Sequence, residues 1–102
     1  MMGADVISMS FGGTMKSYLI ETALEDSFAD CVLVASAGND GLPTTDAPDT
    51  YIKKEDVYPA SYSYVLGVMA TDKSGRMASF SNWDYTQNAN CEYELTAPGV
   101  DI

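Results

Sequence analysis

The sequence predicts an α/β fold built on a parallel-sheet βαβ core. Three observations carry that prediction. Residues 5–11 (D-V-I-S-M-S-F) are rich in β-branched and apolar side chains and are closed by Gly12-Gly13. An amphipathic stretch follows, reaching to about residue 29, and then residues 31–37 (C-V-L-V-A-S-A) form a nearly uninterrupted apolar run. Strand, helix and strand in that order make a βαβ unit, whose crossover is right-handed by rule.

Each element has a local reason. Thr14 or Ser17 supplies the hydroxyl that caps a helix N-terminus. Leu19, Ile20, Ala23, Leu24 and Phe28 fall at i, i+3/i+4 spacing and make one apolar face, with Glu21, Glu25 and Asp26 largely off it. The run at 31–37 lacks polar alternation, as expected of a strand buried on both faces. Residues 40–59 are rich in Gly, Pro, Thr and Asp and read as a long surface loop. Residues 64–71 (Y-V-L-G-V-M-A-T) read as a third strand, and Asp72-Lys73-Ser74-Gly75 as a tight turn. Two short strands are expected at 78–80 and 93–96, separated by a polar loop from Ser81 to Glu92. A single domain spanning 1–102 is expected, since no repeat or linker interrupts the chain.

Composition removes several function classes. The formal net charge of −10, from 15 acidic and 5 basic side chains, disfavours nucleic acid, because phosphate binding needs clustered Lys and Arg. No apolar run approaches the roughly 20 residues that span a bilayer, and the N-terminus carries no signal-peptide pattern. Cys31 and Cys91 form no C-x-x-C pair and have no His partner, so zinc is disfavoured and two thiols are the default. The glycines at strand ends match neither G-x-G-x-x-G nor the P-loop pattern, which counts against a phosphate-binding α/β domain.

Several segments stand in a shared order: Val6-Ile7-Ser8-Met9-Ser10-Phe11-Gly12-Gly13, Val34-Ala35-Ser36-Ala37-Gly38-Asn39-Asp40-Gly41, Tyr58-Pro59-Ala60-Ser61-Tyr62, Val68-Met69-Ala70-Thr71-Asp72, Ala78-Ser79-Phe80-Ser81-Asn82 and Ala97-Pro98-Gly99-Val100-Asp101-Ile102. Together they resemble the subtilisin-like serine peptidases over nearly the whole chain. The resemblance implies a partial subtilisin-like fold, a peptide or protein substrate, and a secreted or cell-surface parent. It implies that Asn39 donates its side-chain N–H to the oxyanion of a tetrahedral intermediate. It also implies that Ser10, Phe11 and Gly12 pair with substrate as an added strand, while Ala37 and Gly38 with Asn39 form the opposite wall of the primary specificity pocket. Tyr58-Pro59 resembles a turn that often holds a cis proline in this family. The carbonyls of Ala60, Tyr62 and Val65 match positions that form a weak Ca²⁺ or Na⁺ site in some members, and carbonyl oxygens suit those ions. Read from the residues alone, Asn39 between Gly38 and Gly41 at a strand end is a turn asparagine or a ligand contact, and Ser10–Gly12 is a strand ending.

The chain has no histidine. The family's triad runs Asp, His, Ser along the chain. The Asp and His segments are expected before residue 1 and the Ser segment after Ile102. Ser8, Ser10, Ser36 and Ser79 do not substitute, because an unassisted hydroxyl is a poor nucleophile, and Cys31 and Cys91 also lack an imidazole base. The expectation is therefore the central fragment of a peptidase domain, inactive alone. The alternative is a non-catalytic peptide-binding module on the same scaffold. With one helix for a parallel sheet, one sheet face should remain exposed and invite self-association.

Overall fold

The computed structural model describes residues 3–45, 47–85 and 91–102. Four strands and one helix form along it: β1 (Val6–Met9), α1 (Tyr18–Phe28), β2 (Val32–Ser36), β3 (Leu66–Thr71) and β4 (Leu95–Pro98). The strands make one sheet in the order β1-β2-β3-β4, and every neighbouring pair is parallel. The expected βαβ unit is present, with strands shorter than the apolar runs that encode them. Of the two candidate caps, Ser17 is the one used: its Oγ accepts the Ile20 N–H at 3.4 Å. The tight turn at 72–75 forms as expected, closed by Gly75 N–H to the Asp72 carbonyl at 3.1 Å. Among the described residues no helix is long and apolar enough to cross a membrane.

Three expectations about burial and pairing need correction. The helix does not bury the face 19/20/23/24/28; Leu24 alone is buried, and Leu19 is 80% exposed. The helix instead turns the Glu21–Leu24–Phe28 side inward, where the Tyr64 hydroxyl donates to the Glu21 carbonyl at 3.3 Å and the Phe28 and Tyr64 rings lie 5.7 Å apart. Strand β2 is not buried on both faces. Leu33 and Ala35 are buried, whereas Val32 is 49% exposed. The parallel register sets Val32 beside Val6, Val34 beside Leu66, and Val68 beside Leu95, so the uncovered residues share one sheet face. That exposed face is the one expected from a sheet with a single covering helix.

Residues 78–80 form a turn rather than a strand. The Ala78 carbonyl accepts the Ser81 N–H at 3.0 Å, and the Ser81 hydroxyl takes the Ala70 N–H at 2.9 Å, which removes a backbone partner that a strand would need. The last strand begins at Leu95, two residues after the expected start. The cause lies in carboxylates: Asp84 Oδ2 accepts the Glu92 and Tyr93 N–H groups, and Glu94 Oε2 accepts the Gly67 N–H at 2.7 Å. Backbone donors captured by side chains cannot join the ladder. The polar loop expected from Ser81 to Glu92 includes residues 86–90, which lie outside the described residues.

The buried core gathers on the helix side of the sheet, from Met9, Leu24, Leu33, Ala35, Val65 and Tyr93 with their neighbours. Over it runs the segment 57–65, whose Tyr58–Pro59 peptide bond is cis. The rings of Tyr62 and Tyr64 stack with centroids 5.3 Å apart, and the Tyr58 ring lies tilted against Tyr62 at 4.8 Å. Cys31 is buried, its Sγ donating to the Ala4 carbonyl at 2.9 Å, while Cys91 is exposed, and no disulfide joins them.

Candidate functional site

The carboxyl ends of β1 and β2 point into one cleft of about 380 Å³, as open parallel sheets place their ligand crevices. One wall is Ser10, Phe11 and Gly12; the other is Gly38, Asn39 and Asp40, with Lys54 and Val57 completing it. The structure therefore brings together five of the six residues expected at the site. Ala37 lies behind the wall, 1% exposed, with its N–H bonded to the Val68 carbonyl and its carbonyl accepting from Asn82.

On the first wall, Ser10, Phe11 and Gly12 are exposed and make no backbone hydrogen bond among the described residues. The chain only regains partners at Gly13, whose N–H and carbonyl both pair with Tyr58, at 3.0 and 2.8 Å. Gly12 is glycine because of that approach. A Cβ there would stand 2.9 Å from Val57 Cγ1 and 3.1 Å from the Tyr58 carbonyl oxygen. Gly12 lets the segment 57–58 pack closely behind it, and Gly13 spends its backbone on that packing.

On the second wall, Gly38 has φ +103° and Gly41 φ +68°, conformations that L side chains rarely adopt. Between them Asn39 is exposed, and among the described residues no hydrogen bond holds its side-chain amide. Its backbone is fixed nonetheless, by Asn82. This side chain is wholly buried: Oδ1 accepts the N–H groups of Asp40 at 3.0 Å and Leu42 at 3.2 Å, and Nδ2 donates to the Ala37 carbonyl at 3.0 Å. The Asn82 N–H closes the arrangement on the Gly38 carbonyl at 3.0 Å. In the sequence Asn82 is only the last residue of the segment 78–82. Its role depends on a contact across 42 positions, so no local pattern marks it.

Asp40 carries a second tie. Lys54 Nζ lies 3.0 Å from its Oδ2, and this ammonium, followed by the Asn82 amide, holds the carboxyl below the usual carboxylate range. The Lys54 backbone is anchored by its N–H to the Pro43 carbonyl at 2.8 Å. An exposed amide donor, an unpaired backbone edge and a fixed ion pair therefore share one concavity. Such an arrangement can hold an extended polypeptide and present an N–H to a developing negative charge.

A second titratable group lies below the sheet edge. Burial, and then the neighbouring Asp56 carboxylate, push Glu92 up to about 7. The Ser61 hydroxyl donates to Glu92 Oε2 at 3.4 Å, and the buried Asp56 Oδ1 has no hydrogen-bond partner among the described residues. Close by, the Tyr62 carbonyl accepts the Val65 N–H at 3.0 Å and so keeps one lone pair for other use. Among the described residues no group of three His, Cys, Asp or Glu is placed to hold a metal ion.

The model for the Subtilase family (Peptidase S8) matches residues 1–101. Subtilisin DY of Bacillus licheniformis is 37% identical over 101 residues, covering 98% of this chain and 32% of that protein. The alkaline protease 1 of Emericella nidulans is also 37% identical over 101 residues, covering 98% of this chain and 21% of that protein. Among solved structures, the psychrophilic subtilisin-like protease Apa1 from the Antarctic psychrotroph Pseudoalteromonas sp. AS-11 superimposes with a TM-score of 0.71 at 31% identity, over 95% of this chain and 19% of that one. The chain thus spans a third or less of the length of these relatives. A parallel sheet whose strand ends carry Ser10–Gly12 and Gly38–Asn39, together with a family match along nearly its full length, makes this chain a member of the subtilase family.

Proposed function

We propose that this chain, as one domain over 1–102, forms the oxyanion-donor and substrate-edge portion of a subtilisin-like serine endopeptidase, and that it does not hydrolyse peptides alone. The carrying observation is the unpaired Ser10–Gly12 edge facing the unoccupied amide of Asn39 across one cleft. An extended substrate adds its backbone to that edge, and its carbonyl oxygen lies toward Asn39. Gly38 keeps the wall low, and buried Ala37 supports it from behind. As the carbonyl becomes tetrahedral, the Asn39 N–H stabilises the new oxyanion; loss of one such donor costs about 100- to 1,000-fold in kcat, a magnitude measured on a subtilisin itself.

In this family the proton between nucleophile and leaving group is carried by an imidazole, and the chain contains none. The purified chain is therefore expected to leave a casein substrate intact over hours. Robust turnover sensitive to a serine-directed inhibitor would overturn the assignment. Joined to Asp-, His- and Ser-bearing segments, the Asn39→Leu variant is expected to lose about 100-fold or more in kcat with little change in KM. A cation, if the Ala60, Tyr62 and Val65 carbonyls hold one, is Ca²⁺ or Na⁺ by the hardness of its ligands. Millimolar CaCl₂, or NaCl at higher concentration, then raises the melting temperature of the chain, and an unchanged melting temperature in both salts removes the site.

A further inference from the structure

A second cavity, of about 310 Å³, opens at the β4 edge of the sheet and shares no lining residue with the cleft. Two thioethers and a thiol line it, those of Met69, Met77 and Cys91, together with the carboxylates of Asp84 and Glu94. We propose that this cavity is a soft-metal site, in which the three sulfurs hold one monovalent ion of the Cu(I) or Ag(I) class.

Each sulfur is delivered by a different part of the chain. Met69 lies in β3 opposite Thr96 of β4, and its Sδ accepts the Asp84 N–H at 3.3 Å. Met77 is returned to β3 by the turn at 72–75, through a backbone bridge to Thr71. Cys91 immediately precedes Glu92 and Tyr93, whose N–H groups Asp84 Oδ2 captures. Asp84 thus ties Met69 and the segment carrying Cys91 together. Packing does not require two of the three sulfurs: Met77 is 39% exposed, and Cys91 is exposed and outside any disulfide. The carboxylates are engaged elsewhere. Asp84 Oδ1 accepts the Thr44 hydroxyl at 3.4 Å, and Glu94 Oε2 accepts the Gly67 N–H. Among the described residues no three His, Cys, Asp or Glu converge on an ion, so the cavity lacks a ligand set for zinc. Sulfur is its common donor, and thiolate and thioether ligands select Cu(I). Binding forms a metal–sulfur bond at Cys91 and releases the thiol proton to solvent, with no change in the ion's oxidation state. The thiolate then balances the single positive charge.

The test uses the full chain, titrated with Ag⁺ as a diamagnetic probe while its methionine ε-methyl groups are followed by ¹³C NMR. One equivalent is expected to shift the Met69 and Met77 methyls and to leave those of Met9 and Met15 in place. Cys91→Ser is expected to abolish binding. Met69→Leu and Met77→Leu are each expected to weaken Cu(I) binding by about tenfold or more, read under argon against a chromophoric Cu(I) chelator. Cys31→Ala, at a residue that does not line the cavity, is expected to leave stoichiometry and affinity unchanged. Silver that moves neither methyl in the unaltered chain, or full affinity in both methionine variants, would mean capture by a lone thiolate and would overturn the proposal. Displacement of the ion by one equivalent of Zn²⁺ would overturn it equally.

Discussion

Two regions of this molecule solve the same problem with different chemistry. Around the cleft, the backbone donors and acceptor of the loop 37–42 are satisfied by the buried, neutral amide of Asn82. At the far edge of the sheet, the donors of Glu92, Tyr93 and Gly67 are satisfied by the carboxylates of Asp84 and Glu94. An amide offers both donors and acceptors and does not titrate; a carboxylate accepts only, and burial disfavours its charged form. The first device fixes geometry at every pH. The second clusters acid groups, and burial raises the carboxyls of Glu92 and Glu94 there.

The largest test of that contrast is Asn82→Ala. It strands two partly buried N–H groups and a buried carbonyl beside the cleft, and the expected loss is about 2–4 kcal/mol in urea unfolding. A loss under about 0.5 kcal/mol would show that the loop finds other partners. Asn82→Asp sharpens the comparison. It replaces the donor facing the Ala37 carbonyl with a second acceptor beside Asp40, so the variant is expected to lose stability as pH rises through the new carboxyl's pKa, whereas Asn82 itself contributes no such dependence.

Glu92→Gln probes the other region and should have a smaller effect. The folded state holds a proton on Glu92 up to about 7 that the unfolded chain releases near the ordinary value of 4.5. The group therefore imposes no penalty at low pH, and stability falls as pH rises from 4.5 to 7 and then levels. Removing the charge should flatten that slope and stabilise the chain at pH 8 by about 1 kcal/mol, after discounting for the solvent that screens a group only partly buried. An unchanged slope in melts between pH 4 and 8 would place the titration elsewhere. Smallest of all is Lys53→Met, which removes an exposed i, i+4 pair with Asp49 at 2.8 Å. The expected change lies within about 0.5 kcal/mol, as for other exposed pairs.

Much of this architecture was legible along the chain, though unevenly. The β1-α1-β2 order followed from apolar runs and a capping hydroxyl, because those act within one element. The choice of Ser17 over Thr14 needed the structure, since both hydroxyls precede the same helix. The buried helix face differs from the one its periodicity predicts, because the inward side is fixed by Tyr64 from 43 positions away rather than by Leu19 or Ile20. The two-sided burial expected of β2 failed because a single helix covers only one side, leaving Val6, Val32, Leu66 and Leu95 exposed on the other. Residues 78–80 looked like a strand until Ser81 diverted the Ala70 N–H. At the cleft, Ser10–Gly12 and Gly38–Asn39 were named from family resemblance, and the fold brings them together. Asn82 and Lys54 were missed as site residues, since an asparagine in a polar stretch and a lysine in a loop carry no periodic signal.

The sequence by itself determined the succession of elements, the family to which its motifs belong, and the lack of any imidazole to move a proton. Those are properties of composition and of neighbours a few residues apart, where propensity, capping and periodicity operate. Tertiary structure alone decided which sheet face is covered, which asparagine anchors the loop 37–42, and which lysine neutralises Asp40. Those outcomes depend on segments remote along the chain meeting at hydrogen-bond distance, and backbone groups enclosed there must take whatever partner the folded chain delivers.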